Sequence, residues 1–116
     1  MCGVSADQVP SVELNDGTSV PQVGFGVYRV PSDEARSVVA EALSAGYRSI
    51  DTAKLYENEA GVGRAIADSG IPRDELYVTT KVWNDDQGYD ATRRAFDRSM
   101  GELGLDVLDL YLIHWP

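Results

Sequence analysis

The sequence predicts an α/β fold in which strands and helices alternate along the chain and the strands form a parallel sheet. Three observations support this prediction. Segments with strand patterns and segments with helical spacing follow a short hairpin in the order β-α-β-α-β-α-β. A glycine follows each of the first two helical segments, where helices commonly end. The last segment is a nearly continuous apolar run, which is typical of a strand buried on both faces.

The first third of the chain predicts a hairpin, a strand and a helix. In the segment VELNDGTSVP, the dipeptide Asp16-Gly17 indicates the hairpin turn, because this turn needs positive φ. The segment QVGFGVYRV is predicted to be a glycine-bearing strand. Residues 31–46, PSDEARSVVAEALSAG, predict a helix that Ser32 caps and Gly46 ends. Its apolar positions recur at helical spacing and comprise Ala35, Val38, Val39, Ala42 and Leu43.

Three further strands and two further helices follow. The segments YRSID, LYVTTKVW and DVLDLYLIHW predict the second, third and fourth strands of the parallel series. Between them, NEAGVGRAIADSG predicts a helix that ends at Gly70, and the residues after DQGYD predict another. Within the first of these helices, we expect Gly61 and Gly63 to allow a neighbouring helix to approach closely. The apolar side of the second comprises Ala95, Phe96, Met100 and Leu103.

The composition argues against several classes of function. The formal net charge is −9 over 116 residues, so the protein would repel nucleic-acid phosphates and anionic membrane surfaces. No apolar run reaches the ~20 residues that a membrane-spanning helix needs. With one histidine and one cysteine in the chain, a metal site would need mostly carboxylates, which is uncommon for zinc. We therefore expect no nucleic-acid partner, no membrane partner and no metal.

The N-terminus and the cysteine content bear on location. Residues 1–10, MCGVSADQVP, lack the apolar core and the basic flank of a signal peptide, and we expect them to form a flexible tail. Cys2 is the only cysteine, so no internal disulfide can form, which fits a reducing compartment. We therefore expect a cytoplasmic protein with a single ordered unit over residues 11–116.

Four polar side chains are predicted to meet at one edge of the sheet. Asp51, Lys81 and His114 close the second, third and fourth parallel strands, and Tyr56 lies in the loop that follows the second. The carboxyl ends of parallel strands share one edge, where both barrels and open α/β sheets build their sites. Each residue alone has an ordinary structural explanation, such as a turn cap or a hydrogen-bonded core histidine. Their convergence, and the presence of only two lysines and one histidine, favour a shared functional site.

This set of side chains suits proton transfer to a carbonyl group. A free tyrosine has a pKa near ~10 and is therefore a poor acid at neutral pH. The Lys81 ammonium would stabilise the phenolate of Tyr56, and Asp51 would keep Lys81 charged. His114 would hydrogen-bond the substrate oxygen, so that the phenol can give or take one proton. Reduction also requires a hydride, which usually comes from a nicotinamide.

Four motifs carry a resemblance to a known family. The segments LNDG…VPQVGFGVYRV, GYRSIDTAKLYENEAGVGRAI, LYVTTKVWND and LDLYLIHWP occur here in the order found in the N-terminal part of the aldo-keto reductases. The chain is similar to the bacterial group that includes the 2,5-diketo-D-gluconate reductases. The resemblance implies a (β/α)8 TIM barrel, of which the chain would cover the N-terminal hairpin and roughly the first four barrel strands.

The resemblance also implies roles for individual residues. Tyr56 would donate the proton, with its pKa lowered by Lys81, and His114 would orient the carbonyl of an aldehyde or ketone. The catalytic tetrad of the family matches Asp51, Tyr56, Lys81 and His114. Positions beside the nicotinamide of the cofactor, usually NADPH, match Gly26, Val27, Tyr28 and Asp51. Positions that line the substrate pocket match Tyr28, Trp83, His114 and Trp115.

The length of the chain departs from that of a complete barrel. A (β/α)8 barrel needs ~250 residues, whereas this sequence has 116. We therefore expect a fragment. Besides a small-molecule carbonyl substrate, its expected partner is the C-terminal half of the barrel, which carries most of the remaining cofactor contacts.

Two other functions stay open from the residues alone. A lysine at a barrel strand end can form a Schiff base, as in aldolase-type lyases, with Tyr56 and Asp51 as acid and base. Alternatively, the chain is non-catalytic, either as a barrel that binds a nucleotide or as a truncated barrel. A Rossmann fold is disfavoured, because GFGVYR has Arg29 where the third glycine of G-x-G-x-x-G would stand.

Overall fold

A computed structural model describes residues 9–115, which form two sheets and three helices. An antiparallel hairpin, β1 (Ser11–Glu13) and β2 (Ser19–Pro21), precedes a four-stranded parallel sheet in the order β3-β4-β5-β6. Its strands are β3 (Phe25–Gly26), β4 (Ser49–Asp51), β5 (Tyr77–Val82) and β6 (Leu110–Ile113). The helices that connect them are α1 (Ala35–Ser44), α2 (Glu59–Asp68) and α3 (Tyr89–Leu103). The predicted alternation and the parallel sheet are confirmed.

The ends of the elements follow the predicted turn chemistry in most places. Gly17, in the hairpin turn, has φ +87°, and the Asp16 carboxylate accepts hydrogen bonds from the Thr18 N–H (2.9 Å) and hydroxyl (2.6 Å). Gly46 and Gly70 have φ of +110° and +72° directly beyond α1 and α2. These positive φ angles carry the chain out of each helix, as expected for helix-terminal glycines. Most of the predicted tail, residues 1–8, lies outside the described residues.

The strand register divides the side chains between two faces of the sheet. Ile50 pairs with Val78, and Asp51 pairs with Thr79, so alternate positions point to opposite sides. Ile50 and Val78 join the core that the helices cover, together with Val39, Leu43, Val62, Ala65, Ile66 and Leu103. Lys81, two residues beyond Thr79, therefore lies on the same face as Asp51. The apolar positions thus determine which face is left for the polar site.

Two sequence predictions about individual elements are wrong. The segment QVGFGVYRV forms a strand only at Phe25–Gly26, because Val30 N–H bonds back to Val27 O and Arg29 has φ +64°. Ser32 does not cap α1. That helix begins at Ala35, and Pro31 O accepts hydrogen bonds from the N–H groups of both Glu34 and Ala35.

The apolar run of β6 predicts burial on both faces, and this strand is the last one of the described residues. It is the edge strand of the described sheet, and Ile113 is 64% exposed. Leu110 and Tyr111 are half-buried, and Tyr111 packs edge-on against Phe96 of α3 at 5.2 Å between ring centroids. The apolar run therefore packs against α3 on its helix side, while no described strand pairs with its outer edge.

The close approach of α2 to both neighbouring helices depends on glycine, as predicted. A Cβ atom at Gly61 would lie 2.8 Å from the Cβ of Ala35 in α1. A Cβ atom at Gly63 would lie 2.1 Å from the carbonyl oxygen of Leu103 in α3. A clash with backbone atoms at that distance can be relieved only by moving the two helices apart.

We expect Gly63→Ala to lower the free energy of unfolding of the complete protein by about 1–3 kcal/mol through overpacking. Gly101→Ala is the matched control, because Gly101 lies in α3 and its added Cβ meets nothing within 4 Å. The control should be neutral or raise stability by up to about 1 kcal/mol through helix propensity. Urea unfolding of both variants measures the difference, and equal stabilities would contradict the steric account.

Candidate active site

The structure brings the four predicted polar residues to one edge of the parallel sheet. Asp51 is the last residue of β4, Lys81 is the penultimate residue of β5, and His114 directly follows β6. Lys81 pairs with Leu112 in β6, and the His114 N–H continues the ladder to Val82 O at 3.2 Å. Their common location follows from parallel pairing, because all three strands run toward the same edge.

An ion pair joins neighbouring strands at this edge. Lys81 Nζ donates hydrogen bonds to Asp51 Oδ1 and, at 3.0 Å, to the carbonyl oxygen of Thr52. The Lys81 side chain is 14% exposed, whereas that of Asp51 is 48% exposed. The ammonium is thus held from two directions in a largely covered position. The carboxylate that neutralises it stays accessible from the open face.

Tyr56 reaches this ion pair from the loop after β4. A single 3-10 turn, Lys54–Tyr56, begins directly after the chain has left the strand. Lys81 Nζ lies 5.3 Å from the centroid of the Tyr56 ring, within the range of a cation–π contact. The His114 ring meets the Tyr56 ring edge-on, with centroids 5.6 Å apart and planes at 89°. The amine, the phenol and the imidazole therefore form one contiguous group.

Aromatic rings extend the group on both sides. Tyr28 lies beside Tyr56 at 5.3 Å between ring centroids. On the other side, Trp83 contacts His114 edge-on at 5.4 Å and also contacts Trp115 at 5.4 Å. Tyr28 and Trp115 are exposed, so they offer apolar ring surface next to the polar centre.

His114 is held in a setting that favours its neutral form. Burial lowers its pKa first, the nearby positive charge of Lys81 lowers it further, and the carboxylate of Asp51 partly opposes both. Its Nδ1 atom is buried and has no hydrogen-bond partner among the described residues. A neutral imidazole keeps one N–H, which is a donor suited to a carbonyl oxygen.

Besides Asp51, the three residues predicted to lie beside a nicotinamide differ in their accessibility. Gly26 is exposed, pairs with Asp51 across the β3–β4 ladder, and has open space where a Cβ would project. Tyr28 is 62% exposed. Val27, in contrast, is fully buried, and its N–H and C=O bond to Asp51 O and to the side chain of Asn58. Any contribution of Val27 to a cofactor site is therefore indirect, through the positions of its neighbours.

Two buried polar residues near the site were not singled out from the sequence. Asn58 bonds to Thr52, Val27 and Val30, and Glu59 accepts hydrogen bonds from Thr80 (2.6 Å) and Ser99 (3.1 Å). Their position at the start of a helix gave them the pattern of an ordinary exposed helix terminus. Only the burial of that terminus against the sheet distinguishes them.

Metal clusters and membrane-spanning helices are separate questions for residues 9–115. No group of three or more His, Cys, Asp or Glu side chains is placed to hold a metal ion there. No helix in the same range is long and apolar enough to cross a membrane.

Comparison with known proteins identifies the family. The family model described as "Aldo/keto reductase family" matches residues 21–116. The chain belongs to the aldo/keto reductase family. A curated aldo-keto reductase of Mycolicibacterium smegmatis is 60% identical over 107 residues, which cover 92% of this chain and 39% of the relative. The glyoxal reductase of Bacillus subtilis is 53% identical, covering 91% of this chain and 39% of that protein.

Solved aldo-keto reductase structures agree with this assignment. The Brucella melitensis enzyme superposes with a TM-score of 0.91 at 60% identity, covering 93% of this chain and 41% of that one. An aldo-keto reductase of Bombyx mori in complex with NADP superposes with a TM-score of 0.89 at 45% identity, covering 93% and 38%. The predicted (β/α)8 barrel is thereby confirmed. The described residues contain its hairpin and first four parallel strands, and the chain spans about 39% of the length of the curated relatives.

The lowered pKa of His114 gives this aldo/keto reductase a testable pH dependence. Between the lowered native pKa and the ordinary value of about 6.5, the unfolded state binds more protons than the native state. Stability therefore falls as the pH drops below about 6.5. In the complete protein, we expect the free energy of unfolding of the native sequence to fall, relative to His114→Gln, between pH 8 and pH 5.

The variant serves as the reference because it keeps every other titrating group. Chemical denaturation at each pH measures the difference. A difference that stays constant, or that moves in favour of the native sequence on acidification, would show that His114 is not held in its neutral form.

Proposed function

We propose that the protein reduces aldehydes or ketones to alcohols, with NADPH as the hydride source and Tyr56 as the proton donor. The observation that carries this proposal is the position of the Lys81 ammonium, which is held by Asp51 and lies 5.3 Å from the Tyr56 ring centroid. An ammonium so placed stabilises the negative charge that a phenol acquires when it gives up its proton. Relatives named glyoxal reductase and morphine 6-dehydrogenase support oxidoreductase chemistry.

The residues at this edge fit the nicotinamide end of such a cofactor. The open space above Gly26 and the exposed ring of Tyr28 leave an accessible surface, and the Asp51 carboxylate is exposed as well. Gly26, Tyr28 and Asp51 are therefore the residues that would hold it, and Val27 would support them through its backbone. When bound, NADPH supplies a hydride to the carbonyl carbon. The NADP complex of the Bombyx mori relative supports this choice of cofactor.

The chain's own residues supply the proton. The Tyr56 hydroxyl donates its proton to the carbonyl oxygen as that oxygen gains negative charge, which completes the alcohol. The Lys81 ammonium, 5.3 Å from the centroid of the Tyr56 ring, would stabilise the negative charge left on the phenolate. Asp51 keeps that ammonium in place, since removing it would leave a covered positive charge without its partner.

His114 orients the carbonyl. Its neutral imidazole lies edge-on to Tyr56, so an N–H of His114 and the Tyr56 hydroxyl would both donate a hydrogen bond to the carbonyl oxygen of the substrate. Two donors that converge on one oxygen fix its position and stabilise developing charge. The rings of Tyr28, Trp83 and Trp115 would contact the rest of a small carbonyl substrate.

The geometry disfavours the Schiff-base alternative. A lysine must be a neutral amine to attack a carbonyl, whereas Lys81 is paired with Asp51 and also donates to the Thr52 carbonyl oxygen. Borohydride in the presence of a carbonyl substrate should therefore leave Lys81 unmodified. Mass-spectrometric detection of a substrate adduct on Lys81 would favour lyase chemistry instead.

Two further parts of the proposal concern the setting of the reaction. The relatives are more than twice as long as this chain, so we propose that the remaining barrel strands complete the cofactor site. A supply of NADPH and a chain with a single cysteine both fit the cytoplasm.

Tyr56→Phe tests the assignment of the proton donor. We expect the complete protein to lose at least ~100-fold in kcat for carbonyl reduction, because general acid catalysis contributes about 10²–10⁴-fold. Cofactor affinity should stay within about 2-fold, since the ring and its contacts remain. Consumption of NADPH, followed by absorbance with a panel of small aldehydes and ketones, measures turnover, and fluorescence titration measures binding.

Tyr77→Phe is the matched control, because it removes the same hydroxyl at the opposite end of β5. It should retain the native kcat. Undiminished reduction by Tyr56→Phe would show that another group donates the proton. A native protein that binds NADPH without reducing any carbonyl would instead support the non-catalytic alternative.

A further inference from the structure

We propose that Asn58 is a positioning residue that holds the three loop segments of the site in register through one buried carboxamide. The inference rests on the proposed reductase function and adds a residue to it. Asn58 is 1% exposed and directly precedes α2, yet its side chain does not cap that helix. Its hydrogen bonds run instead to the segments that present the candidate catalytic and binding groups.

The amide nitrogen of Asn58 holds the turn that carries Tyr28. It donates to the carbonyl oxygens of Val27 (3.1 Å) and Val30 (3.0 Å), which lie at the two ends of that turn. Between them, Arg29 has φ +64°, a left-handed conformation that non-glycine residues seldom adopt. Such a conformation persists where surrounding contacts hold it in place. Here the two hydrogen bonds to Val27 and Val30 provide that constraint, and both come from the Asn58 side chain. The Arg29 guanidinium in turn lies 5.4 Å from the centre of the Tyr28 ring.

The amide oxygen of Asn58 holds the end of β4. It accepts a hydrogen bond from the fully buried Thr52 hydroxyl at 2.7 Å. The carbonyl oxygen of Thr52 is one of the two acceptors for Lys81 Nζ, and Asp51, the other, is the preceding residue. The hydrogen bond of the Thr52 hydroxyl to Asn58 therefore fixes the backbone at residues 51 and 52, which holds the Lys81 ammonium.

The third segment is the one that contains Asn58 itself. Tyr56 lies two residues upstream, across Glu57, which also has a left-handed φ of +56°. The left-handed residue turns the chain so that Tyr56 faces the ion pair while Asn58 points into the protein. Anchoring the carboxamide thus anchors the turn that presents the phenol. A displacement of about 1 Å at such a site can cost about 100-fold in rate.

Asn58→Leu tests the proposal in the complete protein, because leucine has a similar size and makes none of these hydrogen bonds. We expect kcat/KM for carbonyl reduction to fall about 10- to 100-fold, with a raised KM as well as a lowered kcat. Thr52→Val removes only the bond to the carboxamide oxygen, and we expect a smaller loss, mainly in kcat. The matched control is Val62→Ala, a core truncation one turn further along α2 that should leave kcat/KM within about 2-fold.

Hydrogen–deuterium exchange of the backbone gives a readout independent of activity. Peptides that cover residues 26–31 should exchange faster in Asn58→Leu than in Val62→Ala when both are compared at equal distance below their unfolding midpoints. If Asn58→Leu does not fold, Thr52→Val is compared with Val62→Ala instead, by kcat and by the exchange rate of residues 51–53. If the protein reduces no carbonyl, the proposed function is wrong, and the exchange data still decide the positioning role. Unchanged exchange, or losses equal to those of Val62→Ala, would overturn the proposal.

Discussion

The arrangement of the site depends on the ion pair between Lys81 and Asp51, which crosses from β5 to β4 on the face away from the core. A lysine with only 14% of its side chain exposed needs compensation for the water it has lost. The Asp51 carboxylate and the Thr52 carbonyl oxygen provide that compensation from one short stretch of backbone. The charge is therefore localised, and its position relative to His114 follows from the sheet, whereas the loop after β4 places the Tyr56 ring beside it.

The same sheet register separates structural residues from chemical ones. Ile50 and Val78 face the helices, while their neighbours Asp51 and Thr79 face the other way. Burial of the apolar set thus determines the orientation of the polar set, because a strand cannot move one without the other. The loops need a separate constraint, since Arg29 and Glu57 both adopt left-handed conformations that local preferences disfavour. In the described structure, the Asn58 side chain donates hydrogen bonds to the carbonyl oxygens of Val27 and Val30, on either side of Arg29. Asn58 also directly follows Glu57, and its amide oxygen is held by the Thr52 hydroxyl.

Parallel pairing makes much of this site predictable from the sequence alone. The alternation of elements implied a parallel sheet, and the ends of parallel strands meet, so Asp51, Lys81 and His114 were expected at one edge. The helix-packing glycines, Gly61 and Gly63, were recognisable by their place in a helical segment. The errors occurred at the ends of elements, where backbone hydrogen bonds of a local turn decide the conformation. Ser32 was a reasonable cap by composition, but the carbonyl of Pro31 took that role.

The sequence by itself determined the order of the elements, the parallel sheet, the candidate tetrad and the family resemblance. All of these depend on local periodicity and on residues adjacent in the chain. Tertiary structure alone decided that Asn58 is buried and hydrogen-bonded to two other segments, that Val27 faces the core, and that the pKa of His114 is lowered. Burial and hydrogen bonding between residues some 30 positions apart are properties of the packed chain. An asparagine before a helix has the same local pattern whether it faces water or the back of an active site.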